Sequence, residues 1–441
     1  VPYPGILGRR WHLFWLIMAL TALGVVGSLL LQRVSRPTAV VLIVLAGILL
    51  PAASFAPKAP LSDDLYRYAW DGEVQAHGID PYRYAPDSPA LSAEHTAWLW
   101  PSPAGCRKLG RKLSVCTLIN RANDHTIYPP VAEVYFLGIH ETHLDALRDR
   151  GVELAGFLVV LALLAAMLAL LRAEGRDPRI LAWWVLAPFA ALEMTADAHV
   201  DGLAALLSVL AFLLLRRRHP LWAAAFVSLA ALTKLYPALL LVAVLERRWK
   251  AAARQVGVFV AVFVVGYLPH VVAVGSEVVG YLPGYLSEED YGSGTRYLVV
   301  GLFGITGHLA TAVVVVLMLA VIGAVLRLRP APLLAATYLY GALLILTTPV
   351  QPWYAISLVA LAVCAGRPEW LAVGVAGYAP YFAAILSGSK YFSGTLSYGL
   401  ATGFVLAVTV WRHAGRRGAA GPSRTPSSRP RTPQPAGTPA H

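Results

Sequence analysis

Residues 157–171 read FLVVLALLAAMLALL, with no polar side chain among them. A helix on the surface of a soluble protein carries an apolar stripe on one side only. This one is apolar in every direction, so it calls for an apolar solvent. A helix needs about 17–25 such residues to cross a hydrocarbon core. Working outward, apolar segments recur at 11–31, 38–56, 151–171, 180–195, 199–215, 220–233, 235–245, 251–273, 298–326, 332–348, 353–365, 369–386 and 395–411. The expected fold is all-α, a polytopic transmembrane helical bundle of about 12–13 spans. Composition agrees, with 57% hydrophobic and 14% charged residues where soluble domains average about 25% charged. The run 11–31 is long enough to span and reads as an anchor, not a cleaved signal.

Two long polar stretches interrupt the apolar pattern, a large loop at 57–150 and a shorter one at 275–297. The expected organisation is one membrane domain over 1–411, with the loop 57–150 inserted in it. A tail at 412–441, rich in Pro, Ser, Thr, Gly and Arg, cannot bury a core and is expected to be disordered. The net charge is +12, but the basic residues form no single soluble patch, which argues against a nucleic-acid partner. They gather in short clusters instead: Arg172, Arg176 and Arg179; Arg216, Arg217 and Arg218; Arg247, Arg248 and Lys250; Arg327 and Arg329; Arg412, Arg416 and Arg417. Placing these in the cytoplasm satisfies the positive-inside rule and makes the loop 57–150 extracytoplasmic. One tension remains, because two spans before that loop put Arg9 and Arg10 outside as well. Cys106 and Cys116 share the loop and are either bonded or free; Cys364 lies in an apolar run and reads as packing.

The polar, acidic and aromatic patches collect on the side away from the basic clusters. Charge at membrane depth is costly, so such a collection implies a polar cavity. The densest patch, 62–72, reads SDDLYRYAWDG and follows directly on an apolar span. A carboxylate there suits proton abstraction from a sugar hydroxyl, and Asp64 and Asp63 are the candidates, with Asp71 behind them. Arg67 and Tyr68 share the patch, and Ser62 or Asp63 can equally cap a helix running through Asp71. Tyr82, in GIDPYRYAP at 78–86, and Tyr128, in IYPPV at 127–131, supply aromatic walls, with a helix expected to start at Pro129 or Pro130. The stretch 193–202 reads EMTADAHVDG, in which His199 and Asp201 stand out. A histidine beside carboxylates has the donors for a divalent metal, though none is expected. In TKLYP, 233–237, Pro237 breaks a helix and leaves Lys234 and Tyr236 at a helix end, where a lysine suits a lipid phosphate. Arg296 is a second phosphate candidate, and Gln351, Trp353 and Tyr354 form either an interface belt or a cavity wall. No Walker loop, Ser-His-Asp order or paired-cysteine metal spacing is present.

The run 62–86, the tetrapeptide 127–130 and the stretches 199–202, 234–237 and 351–354 together resemble multi-spanning bacterial glycosyltransferases of the GT-C class. The nearest group is glycosyltransferase family 87 with its polyprenyl-phosphate-mannose-dependent mannosyltransferase relatives. The resemblance covers about residues 10–411, although 106–123 finds no place in it. It implies a polyprenyl-phosphate sugar donor, with mannose as the sugar, and a lipid or glycan acceptor. It also implies an acidic base in the first large external loop, Asp64 or Asp63, and a bacterial plasma-membrane enzyme with its site outside the cytoplasm. The chemistry implied is a single inverting displacement without an obligatory cofactor.

Two other membrane functions share part of this pattern. A lipid-linked sugar transporter often shows paired broken helices, and only one such break, at 234–237, is legible here. A glycan ligase or polymerase needs cations for a pyrophosphate-linked donor. A purely structural role leaves the external carboxylates, His199 and Lys234 without a purpose.

Overall fold

The structure is a computed structural model that describes residues 10–55, 61–108, 116–386 and 390–419. Among these residues it is helical with no strand. The longer helices are α1 (Arg10–Leu31), α2 (Arg36–Ala53), α3 (Asp64–Ala76), α4 (Pro130–Glu141) and α5 (Asp149–Ala173). A bent pair follows, α6 (Pro178–Val185) and α7 (Pro188–Ala196). Then come α8 (Asp201–Arg216), α9 (Pro220–Ala231), α10 (Trp249–Val274), α11 (Gly307–Leu328) and α12 (Pro332–Thr347). The last three are α13 (Pro352–Cys364), α14 (Pro368–Leu386) and α15 (Lys390–Ala419).

Seven helices among the described residues are long and apolar enough to cross a membrane, or eight if the bent pair is one span. Against the 12–13 spans expected, that is a smaller number, with Pro220–Ala231, Pro332–Thr347 and Pro352–Cys364 apolar but shorter. Several are short or broken, which a bundle tolerates where neighbouring helices satisfy the freed backbone groups. Leu and Val side chains of α1, α10 and α11 face outward, as lipid-facing surfaces do. The core lies between α5, α8, α12 and α13, where Leu163, Met167, Val209, Leu339 and Leu358 are buried.

The basic clusters converge on one end. Arg36 and Arg179 both pair with Asp177, Arg216 with Glu174, and Arg412 with Glu369. The side chain of Gln32, just after α1, donates to the Arg179 carbonyl at 3.0 Å. The N-terminal end of α1 accordingly points to the other end, as the two-span count before the loop requires. Residues 1–9, with Arg9, lie outside the described residues. α15 continues to Ala419, past the 412 at which the tail was expected to start. Extending an existing helix by one residue is far cheaper than starting one. The rest of the tail, 420–441, lies outside the described residues.

The large loop is itself folded. It carries α3 and α4, packed on each other at close range: a Cβ at Gly72 would lie 2.4 Å from the Phe136 carbonyl oxygen. Only glycine lets the two backbones approach so nearly. Cys106 and Cys116 are joined by a disulfide, while Cys364 is buried and free.

Candidate functional site

The site lies at the end opposite the basic clusters, where α3 begins. The Ser62 hydroxyl accepts from the Asp64 amide at 3.3 Å, and Asp63 occupies the cap position. Capping and a place in the site thus coexist. The side-chain amide of Asn120 spans both carboxylates, donating to Asp64 Oδ1 at 2.6 Å and Asp63 Oδ1 at 3.2 Å. Like charges side by side are costly in a half-buried place, and this shared donor lowers the cost.

His199 enters from the end of the bent pair. Residues Leu192–Ala196 form a π-helical turn, a form that recurs at functional sites. Ala198 follows with φ 51°, a left-handed conformation that costs a residue with a Cβ about 1–2 kcal/mol. The result turns His199 inward, with its amide donating to the Glu193 carbonyl at 2.8 Å. Gly156 on α5 makes room, since a Cβ there would meet the Met194 carbonyl oxygen at 2.2 Å. The His199 ring stacks on Trp353, centroids 3.8 Å apart. Its Nδ1 is 3.5 Å from Asp64 Oδ2 and its Nε2 is 3.6 Å from Glu193 Oε2.

Lys234 sits just beyond the end of α9. Its Nζ is 3.3 Å from Asp201 Oδ2, and it lies over the rings of Tyr128 at 4.9 Å and Tyr354 at 5.6 Å. Asp201 also accepts from the Tyr236 hydroxyl at 2.9 Å. Tyr82 works from behind, donating to the Tyr128 carbonyl at 2.5 Å, and Tyr68 stacks on Phe136. The Tyr354 hydroxyl meets that of Tyr285 at 2.5 Å, which brings the 275–297 loop to this site. α4 starts at Pro130, as the sequence predicted, and its Val131 amide is pinned to the Leu232 carbonyl at 2.9 Å.

Burial pushes the Asp64 carboxyl up, but the His199 ring, and behind it the charges of Lys234 and Arg121, outweigh burial and hold it at about 2. Burial disfavours the His199 cation, but Asp64, Glu193 and Asp197 outweigh it and raise the ring above the usual histidine value. Asp197 goes the other way, pushed up to about 8 by burial and by Glu193. Asp197 also accepts the amides of Leu61 at 2.6 Å and Ser62 at 3.2 Å, so it holds the segment that leads into α3.

Several sequence candidates sit elsewhere. Arg67 and Asp71 are buried and paired at 2.8 Å. Asp71 also takes the Thr126 hydroxyl, which faces Glu133 as well. Arg296 is fully buried, with its Nε and Nη2 on the carbonyl and carboxylate of Glu289 and its Nη1 without a hydrogen-bond partner. Gln351 donates to the same carboxylate at 2.7 Å. Conversely, Asn120 and Arg121 belong to a stretch for which the sequence offered no role. Arg121 pairs with Glu288 at 2.9 Å, with both side chains partly exposed. One signal was available, an Asn-Arg pair in the same polar loop as Asp63 and Asp64.

For a metal, Glu193, Asp197 and His199 offer ligand atoms within 4.8 Å of one another. Two of the three are engaged already, Asp197 by backbone amides and Glu193 by the Tyr378 hydroxyl at 2.6 Å. Chemically, the site sets an ionised carboxylate within electrostatic reach of a lysine that lies over aromatic rings, which suits removing a proton at one place and receiving an anion at another.

The family model for glycosyltransferase family 87 matches residues 127–349, just over half of the chain. The match takes in His199, Asp201, Lys234, Tyr236 and Arg296; Asp64 precedes it and Trp353 follows it. No curated protein and no solved structure matches the chain.

Proposed function

The chain belongs to glycosyltransferase family 87, and from that premise we propose that it transfers mannose from a polyprenyl-phosphate donor to a lipid or glycan acceptor. The transfer takes place on the extracytoplasmic face of a bacterial plasma membrane. The observation that carries this reading is the placing of Asp64 and Lys234 at the same end of the helical bundle, close enough for the lysine charge to favour the Asp64 carboxylate.

In the reaction the acceptor hydroxyl gives its proton to Asp64 and its oxygen attacks the anomeric carbon. The bond from that carbon to the phosphate oxygen breaks, with inversion, and polyprenyl phosphate leaves. A carboxylate at about 2 is a weak base before attack, but the hydroxyl becomes acidic as its oxygen bonds to carbon. Charge grows on the departing phosphate, and preorganised cations lower that cost. Lys234 is placed for this role and Arg121 is the second cation. Tyr128, Trp353 and Tyr354 offer ring faces for the sugar, and Asp63 and Asn120 fix the base. No step requires a metal.

The outer-face assignment is supported by the basic clusters at the opposite end and by the Cys106–Cys116 bond, which suits an oxidising compartment. The test is transfer by purified protein from a panel of labelled polyprenyl-phosphate sugars to a membrane lipid extract. Label should move from the mannose donor in wild type and stay put with Asp64→Asn. Transfer by a folded Asp64→Asn at the wild-type rate removes Asp64 as the base, and silence with every monophosphate donor removes the donor class.

A further inference from the structure

We propose that His199 is a positioning residue for this transfer, bridging Asp64 and Glu193 with a hydrogen on each ring nitrogen and so holding the Asp64 carboxylate aimed and ionised. The inference rests on the reading of Asp64 as the base. Its ground is geometric. Both ring nitrogens are buried, neither has a hydrogen-bond partner, and each faces a carboxylate oxygen, Asp64 at 3.5 Å and Glu193 at 3.6 Å. A neutral imidazole has one donor and one lone pair. In either tautomer that lone pair would face a carboxylate in a dry place, leaving buried acceptors without a donor. With both carboxylates ionised, only the doubly protonated ring turns a donor toward each of them.

The ring is also locked. Trp353 stacks against its face and the backbone amide is tied to Glu193. Glu193 is fixed in turn by the Tyr378 hydroxyl, deep in the bundle. A chain of contacts thus runs from Tyr378 through Glu193 and His199 to Asp64 at the cavity. The cation answers an electrostatic problem. Around Asp64 and His199 stand Asp63 at the start of α3, Glu193 and Asp197 before His199, and Asp201 at the start of α8. Arg121 from the loop and Lys234 after α9 are the other cations. Arg121 pairs with Glu288 and Lys234 with Asp201. Without His199, burial and like charges would drive Asp64 toward its protonated form, which cannot accept a proton.

The experiment uses full-length protein in detergent, as wild type, His199→Gln and Glu193→Gln. Nitrogen NMR of histidine-labelled protein reads the ring directly. The pH dependence of kcat and the donor KM read its effect. In wild type at neutral pH, one histidine should have both nitrogens protonated, and its signals should vanish in His199→Gln. His199→Gln should lower kcat at neutral pH about a hundredfold, the scale of misplacing a reacting group by roughly 1 Å, with donor KM little changed. Its acidic limb should move to higher pH, so that raising the pH restores part of the rate; Glu193→Gln should show a weaker form of the same shift. A neutral His199 ring overturns the proposal, as do ring signals that respond to a chelator, which would make it a metal ligand. An equal loss of rate at every pH overturns it too, since that is the mark of a merely structural residue. If wild type moves no sugar, the reading of Asp64 as base fails on its own, and the NMR still decides whether His199 bridges the two carboxylates.

Discussion

The helix α3 carries two aspartates about two turns apart that meet opposite fates. Asp71 is buried among partners from its own helix and loop: Arg67 at 2.8 Å and the Thr126 hydroxyl at 3.0 Å. Asp64, at the helix start, keeps 15% of its side chain exposed and faces Asn120, His199 and the Lys234 charge. Both are acids on the same helix, yet one is locked into a closed network and the other is left partly exposed. What separates them is the origin and reach of their partners. A carboxylate whose oxygens are claimed by a buried guanidinium has nothing left for substrate.

The sharpest way to break this comparison is to neutralise each aspartate in turn. Asp64→Asn should cost about 10²–10⁴ in transfer rate, the usual worth of a general base, with an unchanged unfolding midpoint. Asp71→Asn should do the opposite, leaving the Arg67 charge buried and unpaired at a cost of about 3–5 kcal/mol in stability. Denaturation of the two variants side by side checks both, and a stable, inactive Asp71→Asn would put the second aspartate in the chemistry.

A finer test concerns Glu133, which shares the Thr126 hydroxyl with Asp71. That hydroxyl has one hydrogen for two carboxylates, so one acid must carry its own proton. Burial, then repulsion from Asp71, raises Glu133 well above the usual glutamate value. A carboxyl raised in the folded state contributes stability that is full below its unfolded value of about 4.5 and is lost as pH rises through the folded value. Glu133→Gln should therefore match wild type at acidic pH within about 1 kcal/mol and become the more stable of the two as pH rises. Thermal melts across that range decide it, and parallel curves would mean that Glu133 is ionised. The smallest effect is expected at the cavity mouth. Arg121 and Glu288 are partly exposed, so Arg121→Gln should change stability by no more than about 1 kcal/mol. Any larger consequence should show in donor KM, measured with the monophosphate donor.

The membrane bundle was legible because the apolar runs announce themselves locally. The start of α4 at Pro130, the break after α9 and the polar stretches that hold Asp64, His199 and Lys234 were legible for the same reason, each being an irregularity within a few residues. Misleading or silent residues are those whose meaning is set at a distance. Arg296 reads as a free cation in a glycine-rich loop; its acid, Glu289, is only seven positions back, and what the sequence hides is its complete burial, with its carbonyl taking the Thr348 hydroxyl from 52 positions away. Asn120 looks like ordinary loop sequence, and its amide donates to Asp64, 56 positions away in sequence. Glu193 becomes the far anchor of His199 through Tyr378, whose partner lies 185 positions away.

By itself, then, the sequence determined the solvent, the helical class and the segments where polar chemistry collects, because hydrophobic periodicity and helix breaks are written in neighbouring residues. Tertiary structure alone decided which acid stays open, which cations are consumed and which ring stands behind the base. Those outcomes depend on burial and on charges brought together across the chain, and electrostatic energy is set by distance in space, not by separation in sequence.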